Sequence, residues 1–269
     1  MGRYKVLVVG DDVADQLARF DENLAVDPYP DPDFDPTLDA QYARKAHESQ
    51  GIDTAAMSDR EVLKDRVDGE LRYNAAGVLE LWTTSNPEAK WDWWSVGGPW
   101  EESFLLKPDL GGRWVSSALV CEIDFDGMTA VARNKAEDEW ARMLLATAGL
   151  MPPAADFTSY LLRFGGDSKA ARTAWVSHPW VKATAALGYA DRAYGHFFMG
   201  TEDPHRSFIT SAEQQVFAGF ADIVAEREWH SPSTSSWADP EFEDWVSFTR
   251  SLIIAADPLT RLTVVSCHL

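Results

Sequence analysis

The sequence predicts a mixed α/β (α+β) fold, in which a central mixed sheet contains both terminal strands and is covered by helices. Two runs of β-branched and aliphatic residues support the sheet, YKVLVVG (Tyr4–Gly10) near the beginning and RLTVVSCHL (Arg261–Leu269) at the end. Much of the chain between them has the apolar spacing of helices. With 269 residues, the chain (1–269) is predicted to form a single domain, with one weak boundary near Met151.

Local signals predict each element of the first half. After the first strand, apolar residues return at helical spacing, and four prolines then fix φ and remove backbone donors, which favours an exposed loop. Ser58 followed by Glu61 is a capping box, which marks a helix start. The predicted elements are a helix over Val13–Phe20, a loop over Asp21–Pro36, a helix from Ser58 to near Gly69 and a strand over Val78–Thr84.

The second half is predicted to contain the longest helix. Because proline cannot continue a helix, this element ends before Pro152. Phe208–His230 leaves two alternatives, a helix capped by Ser211 and Gln214, or a hairpin made of FADIV and EREWH. The other predicted elements are strands at SFLL and WVSSALV, helices over Asp126–Leu150, Ala154–Phe164 and Ser168–Trp175, and a helix capped by Asp239-Pro240 that carries Phe242, Trp245, Val246 and Phe248.

The charge balance excludes some classes of partner. The chain has 43 acidic residues against 24 Lys and Arg, which gives a net charge of −19. Binding to nucleic-acid backbones needs clustered Lys and Arg, and anionic lipid attracts basic segments, so neither nucleic acid nor a membrane is predicted as a partner. The acidity fits a solvated surface that keeps the protein soluble, or a decoy surface that imitates nucleic acid.

Cysteine usage and the first residues predict a cytoplasmic protein. Cys121 and Cys267 lie far apart and have no metal-type spacing, so both thiols are predicted to be reduced and buried. The start MGRYKVLVVGDD lacks the apolar stretch and cleavage site of a signal peptide. No run approaches the ~20 apolar residues that span a membrane.

Residues 86–100 (NPEAKWDWWSVGGPW), here called the Trp-Gly segment, contain four of the twelve tryptophans. Indoles suit stacking on bases, sugars or partner side chains, and Gly97-Gly98 permits positive φ and close approach. In an extended backbone, Trp91 and Trp93 would share one face. The alternative is that the tryptophans only fill a core. The predicted ligand-binding residues are Lys90, Trp91, Asp92, Trp93, Trp94, Gly97, Gly98 and Trp100.

The pattern Asn-Pro-x-x-Lys-Trp-Asp-Trp-Trp-x-x-Gly-Gly-x-Trp resembles a family of uncharacterised proteins encoded by bacteriophages and integrated elements. Val6–Asn23, Glu122–Met128 and Leu262–Leu269 match the family at similar positions, whereas residues 150–257 match poorly. The family usually has Arg at Pro99 and Asp at Ser266. The resemblance implies a phage-type setting in a bacterial host cell, implies no established activity, and favours the hairpin alternative for FADIV and EREWH.

Acidic residues offer one candidate metal site. Glu122, Asp124 and Asp126 alternate along EIDFDGM, so on a strand all three carboxylates would share one face. Like charges on one face are costly without a nearby cation, which a divalent metal would supply; helix capping by Asp126 is the alternative. No other cofactor is evident, because the chain lacks a P-loop, a dinucleotide fingerprint and a zinc motif.

Asp92 and His268 are the candidate catalytic residues, and Asp92, Asp124 or His268 would supply acid–base chemistry or a metal ligand. Adjacent residues on a strand point to opposite faces, so Cys267 and His268 are not expected to bond each other. His268 is expected to have a partner across the sheet, such as Asp11. The remaining histidines in aromatic surroundings are predicted to be structural: His178, His196 and His205.

Three functions follow as hypotheses. The leading one is a phage-type accessory protein that binds a small ligand or a host partner through the Trp-Gly segment, in counter-defence or host takeover. The first alternative is an enzyme that acts on a nucleotide or sugar with Asp/His chemistry or a divalent metal. The second alternative is an acidic nucleic-acid mimic, based on the loop over Asp21–Pro36.

Overall fold

A computed structural model describes residues 2–150, 155–188, 203–233 and 241–268. The described helices are α1 (Val13–Leu17), α2 (Pro36–Ser49), α3 (Asp59–Leu63), α4 (Phe125–Thr147), α5 (Phe157–Arg163), α6 (Ser168–Ser177), α7 (Pro179–Ala186), α8 (Pro204–Ala218) and α9 (Glu241–Ala255). The described strands are β1 (Arg3–Val9), β2 (Tyr29–Pro30), β3 (Glu70–Tyr73), β4 (Leu79–Thr83), β5 (Trp93–Val96), β6 (Phe104–Leu105), β7 (Trp114–Val115), β8 (Ser117–Leu119), β9 (Asp222–Ala225), β10 (Glu228–His230) and β11 (Arg261–His268).

The chain folds as two compact units. The first contains Ala14–Trp94 and the chain's two ends, including His268, and the second contains Arg3–Val13 and Ser95–Ser266. The divisions after Trp94 and after Ser266 fall inside β5 and β11, so these strands contribute residues to both units. The weak boundary expected near Met151 lies outside the described residues, and the single domain stays a prediction.

The main sheet has six strands in the order β10-β9-β1-β11-β5, with β8 paired to β11. β1 runs parallel to β9, whereas β10 and β8 run antiparallel to β9 and β11. Val6, Leu7 and Val8 are fully buried, as is most of β11, which explains why both strands read as continuous apolar runs. The predicted mixed sheet with both terminal strands and surrounding helices is confirmed.

One core of the second unit joins sheet residues to helix residues. Leu7, Ile223 and Val264 from the sheet pack with Met128 of α4 and Trp245 of α9. The N-cap of α4 is Asp124, whose carboxylate accepts a hydrogen bond from the Gly127 N–H at 2.8 Å. This long helix was predicted to begin at Asp126, one residue after its observed start.

The segment Phe208–His230, for which the sequence left two alternatives, contains a helix and then a hairpin. The helix α8 is capped by Asp203, so Ser211 lies inside it and is not its cap. Next come β9 and β10, joined by Glu226 and Arg227, both with positive φ, as in the two-residue turns that suit a hairpin's twist. The predicted hairpin is confirmed, and the predicted Ser211 cap is wrong.

The first unit has its own small sheet, in the order β2-β4-β3. Its core is formed by residues of α2, α3, β3 and β4: Ala40, Ala43, Val62, Leu63, Leu71, Leu79 and Leu81. The capping box of Ser58 and Glu61 is present at α3, but this helix ends at Leu63, before Gly69. The loop predicted over Asp21–Pro36 also contains β2, which pairs with β4.

Neither Cys121 nor Cys267 forms a disulfide bond, and only one of them is buried. Cys267 is fully buried as predicted, whereas Cys121 is exposed, so its predicted burial is wrong. Cys121 lies in the 3-10 turn Val120–Glu122. Among the described residues, no helix has the length and apolar character needed to cross a membrane.

Candidate functional site

The first unit brings Asp92 and His268 together from positions 176 residues apart. His268 Nδ1 lies 2.9 Å from Asp92 Oδ1 and 3.1 Å from Oδ2. Because a carboxylate accepts hydrogen bonds, Nδ1 donates the proton of this bond, and in the neutral imidazole Nε2 then keeps its lone pair. The side chains of His268 and Asp92 are 30% and 37% exposed, and no described residue bonds to Nε2. The contact therefore orients an imidazole ring that is partly exposed to solvent.

The main chain fixes this pair. The Asp92 N–H donates to the His268 carbonyl at 3.0 Å, so the two residues face each other where β11 ends and β5 begins. Asn23 lies beside them, and its side-chain amide is 3.5 Å from the Asp92 carbonyl oxygen. The sequence did predict both members as candidate catalytic residues. It expected Asp11 as the partner of His268, but Asp11 pairs with Arg261 at 3.4 Å.

Asn86 and Trp91 hold the Trp-Gly segment in place within the first unit. The Asn86 amide donates to the carbonyls of Arg19 and Asp21 at 2.7 and 2.9 Å. The buried Trp91 ring donates its N–H to the Leu17 carbonyl at 3.1 Å. These bonds satisfy main-chain groups of the 17–21 turn and anchor the residues that precede Asp92. Asn86 and Trp91 of the pattern are therefore structural support.

The predicted shared face of Trp91 and Trp93 is wrong. Trp91 is 7% exposed and Trp93 is 46% exposed. The chain bends at Asp92, so the alternation of a continuous strand does not extend across these residues. Lys90 is also exposed, whereas Trp94 is half-buried. Trp93 and Lys90 are thus the predicted ligand-binding side chains that this unit offers to solvent beside the Asp92–His268 pair.

The rest of the segment belongs to the second unit. Val96 ends β5, and Gly97 and Gly98 follow with φ of +69° and +59°. The Gly97 N–H donates to the Val264 carbonyl at 2.8 Å, and a Cβ on Gly98 would lie 2.9 Å from the Ser266 Cβ. Trp100 packs against the core. The two glycines are explained by close packing on β11, without a ligand.

Two positions depart from the resembled family. Ser266 is fully buried, and its hydroxyl has no hydrogen-bond partner among the described residues. Pro99 is exposed and opens the short 3-10 turn Gly98–Trp100 together with Gly98. Neither residue supplies the charge that Asp and Arg would bring to these positions.

The predicted strand of alternating carboxylates is wrong. Glu122 ends a 3-10 turn and its carboxylate accepts a hydrogen bond from the Leu119 N–H at 2.9 Å. Asp124 caps α4, and Asp126 lies in the first helical turn. Because turn, cap and helix replace the strand, the three side chains do not share a strand face. The described residues contain no group of three His, Cys, Asp or Glu side chains able to hold a metal ion.

The acidic loop uses several carboxylates locally. Asp21 and Asp31 accept hydrogen bonds from the N–H groups two residues on, at 2.8 and 2.9 Å. Asp35 caps α2 by accepting from Thr37 and Leu38. These bonds account for three of the six acids of the loop through turn and helix chemistry. No contact within this loop specifically favours a nucleic-acid mimic. That function therefore stays a hypothesis.

Two other histidines have structural partners. His178 Nδ1 accepts the Trp180 N–H at 3.2 Å at the start of α7, and His205 Nε2 lies 2.8 Å from Glu137. The first contact lies at the start of α7, and the second joins α8 to α4. His196 lies outside the described residues.

The sequence patterns missed a cavity in the second unit. It has a volume of about 770 Å³, and Lys5 of β1 and Glu139 of α4 are among its lining residues. The Lys5 ammonium lies 4.8 Å from the centroid of the Phe220 ring. Burial lowers the pKa of Lys5 to about 8. The sequence signal that could have indicated this cavity is Lys5, a lysine within the apolar run of β1.

No known family model, curated protein or solved structure matches this chain. The resemblance of the Trp-Gly segment to phage-encoded proteins therefore stays a prediction. What the chain binds or catalyses has to be argued from its own residues.

Proposed function

We propose that the chain is a phage-type accessory protein that binds a nucleotide or a related phosphorylated ring compound at Lys90, Trp93 and the Asp92–His268 pair. The Asp92–His268 contact carries this proposal. A partly exposed histidine that is held by both oxygens of one carboxylate, and whose other nitrogen bonds no described residue, is oriented to bond a ligand. In a phage setting, capture of such a ligand would serve counter-defence or host takeover.

Two further features support a ring-bearing anion as the ligand. The half-exposed Trp93 indole offers a flat apolar face, on which bases and sugars stack. Lys90, two residues from Asp92, adds an exposed cation that favours a phosphate group. The surface pair His205–Glu137 lies against Trp140, at 5.2 Å between ring centroids, but that tryptophan is buried, so the pair has no exposed indole from this neighbour and is a suitable reference for the site.

Calorimetric titration with nucleoside monophosphates and glucose 6-phosphate tests the proposal. We expect at least one compound to bind, and we expect Trp93→Leu or His268→Gln to weaken binding by about tenfold or more, since each removes one ligand contact. Tyr73→Leu and His205→Gln are matched controls at an exposed aromatic and a carboxylate-paired histidine. If no compound binds, or if the controls weaken binding equally, the proposal is wrong.

The second candidate function is an enzyme for the same class of compound, and the Asp92–His268 pair favours it. An imidazole whose Nδ1–H is held by a carboxylate can accept a proton at Nε2, as general bases do. Phosphorus NMR of each bound compound over time distinguishes the two functions. New product in the wild type, lost in His268→Gln while binding persists, identifies an enzyme; unchanged compound identifies a binding protein.

A further inference from the structure

The cavity of the second unit has the size and lining of a small-molecule site. Its volume of about 770 Å³ lies within the range of ligand pockets, roughly 300–1,000 Å³. Met128 and Val131 of α4, Phe208 of α8 and Trp245 of α9 contribute apolar surface. Such walls favour a ligand with an apolar or aromatic body.

Glu139 is the unusual member of this lining. It is 5% exposed, and no described residue donates a hydrogen bond to its carboxylate or forms an ion pair with it. Lys135 lies one helical turn away and also lines the cavity, but it is exposed and more than 4 Å from the carboxylate. Its carboxylate oxygens are not fully buried, so they open to the cavity, where the donors of a ligand can reach them.

Lys5 does not provide the missing partner. Its ammonium lies over the Phe220 ring and forms no ion pair with any described carboxylate. Its lowered pKa of about 8 also reduces its positive charge in mildly alkaline solution. Glu102, the other acid of the lining, is exposed and therefore solvated. Lys5 and Glu139 thus both lack an ion-pair partner among the described residues, and Glu139 is the acidic one of the two.

Aromatic side chains in the lining also suit a cation. Trp114, Phe208, Phe220 and Trp245 all line the cavity, and the faces of such rings attract ammonium groups. The cations that an anion would find in this lining are Lys5, whose positive charge falls above about pH 8, and the exposed Lys135. Glu139 and the aromatic walls therefore favour a cation in mildly alkaline solution. An apolar molecule without charge would leave the carboxylate unpaired.

We propose that this cavity binds a small organic cation with an aromatic or apolar body, whose amino group pairs with Glu139. The site is independent of the Asp92–His268 pair, and its residues all belong to the second unit. The amino group supplies the hydrogen-bond donors and the positive charge that Glu139 lacks, and the body of the ligand covers the apolar walls.

Ligand-observed NMR with tryptamine tests this site, with indole-3-propionate as the anion of similar size. We expect saturation transfer to tryptamine in the wild-type full chain and none to indole-3-propionate. In Glu139→Gln, which keeps the side-chain shape, we expect the affinity for tryptamine to fall by about tenfold or more. Glu102→Gln makes the same change at an exposed position of the lining and should leave the affinity unchanged.

A second variant guards against loss of folding and against binding elsewhere on the acidic surface. Ala132→Phe places a ring at the cavity wall from α4 and should abolish binding of tryptamine. Its far-ultraviolet circular dichroism should match that of the wild type. Absence of tryptamine binding to the wild type would overturn the proposal. So would equal binding of the anion, or binding that survives both Glu139→Gln and Ala132→Phe.

Discussion

Replacing Trp91 by alanine is expected to lower the free energy of unfolding by about 3–5 kcal/mol, the usual cost of removing a large buried aromatic side chain. Trp91 is 7% exposed, and its indole N–H donates to the Leu17 carbonyl at 3.1 Å. The substitution leaves both a cavity and an acceptor that has lost its donor. Urea denaturation followed by circular dichroism measures the change.

Trp93→Ala is the matched control in the same segment. Because Trp93 is 46% exposed, we expect its removal to cost less than about 1 kcal/mol of stability. Equal losses from the two substitutions would contradict the division of the Trp-Gly segment into a buried anchor and an exposed indole. The contrast also decides which tryptophan remains a credible ligand contact.

Gly98→Ala is expected to be the second most damaging change, with a loss of about 2–4 kcal/mol. Gly98 has φ of +59°, and the new Cβ would lie 2.9 Å from the Cβ of the buried Ser266. Pro99 adds to the cost, because a proline ring clashes with the Cβ of the preceding residue outside extended backbone conformations. Thermal and urea denaturation of the variant measure the loss.

Two further variants separate the steric clash from the backbone strain. Gly77→Ala introduces a side chain at φ of +75° with no atom within 4 Å, so we expect a loss of only about 1 kcal/mol. In the Gly98→Ala background, Ser266→Gly removes the clashing Cβ and should recover part of the lost stability. If the second substitution adds its own full cost without any recovery, the assigned contact is wrong.

The terminal strands were predictable because they are buried on both faces. In β1 and β11 the burial is nearly continuous, which requires the apolar runs that the sequence shows. The helix α2 was missed for the opposite reason. Its buried residues are Ala40 and Ala43, so its core face lacks the large apolar side chains that make helical spacing visible.

The residues of the candidate site were predictable from the sequence, but their geometry was not. Asp92 and His268 were identified by residue type and motif. The end of β11 pairs with the start of β5, which places the two side chains together, and no local sequence signal specifies that pairing. The expected partner Asp11 instead meets Arg261, next to the opposite end of β11. The cavity escaped notice because Lys5 and Glu139 belong to distant elements, and neither forms a motif by itself.

Asp92 orients His268, so that in the neutral ring Nε2 is the nitrogen that can accept a proton. Long-range ¹H–¹⁵N correlation spectra at about pH 8.5, above the ordinary titration range of histidine, report which ring nitrogen is protonated. His268→Gln assigns the signals. We predict the Nδ1–H tautomer in the wild type and its loss in Asp92→Asn. An Nε2–H tautomer in the wild type, or an unchanged spectrum in Asp92→Asn, would contradict the account.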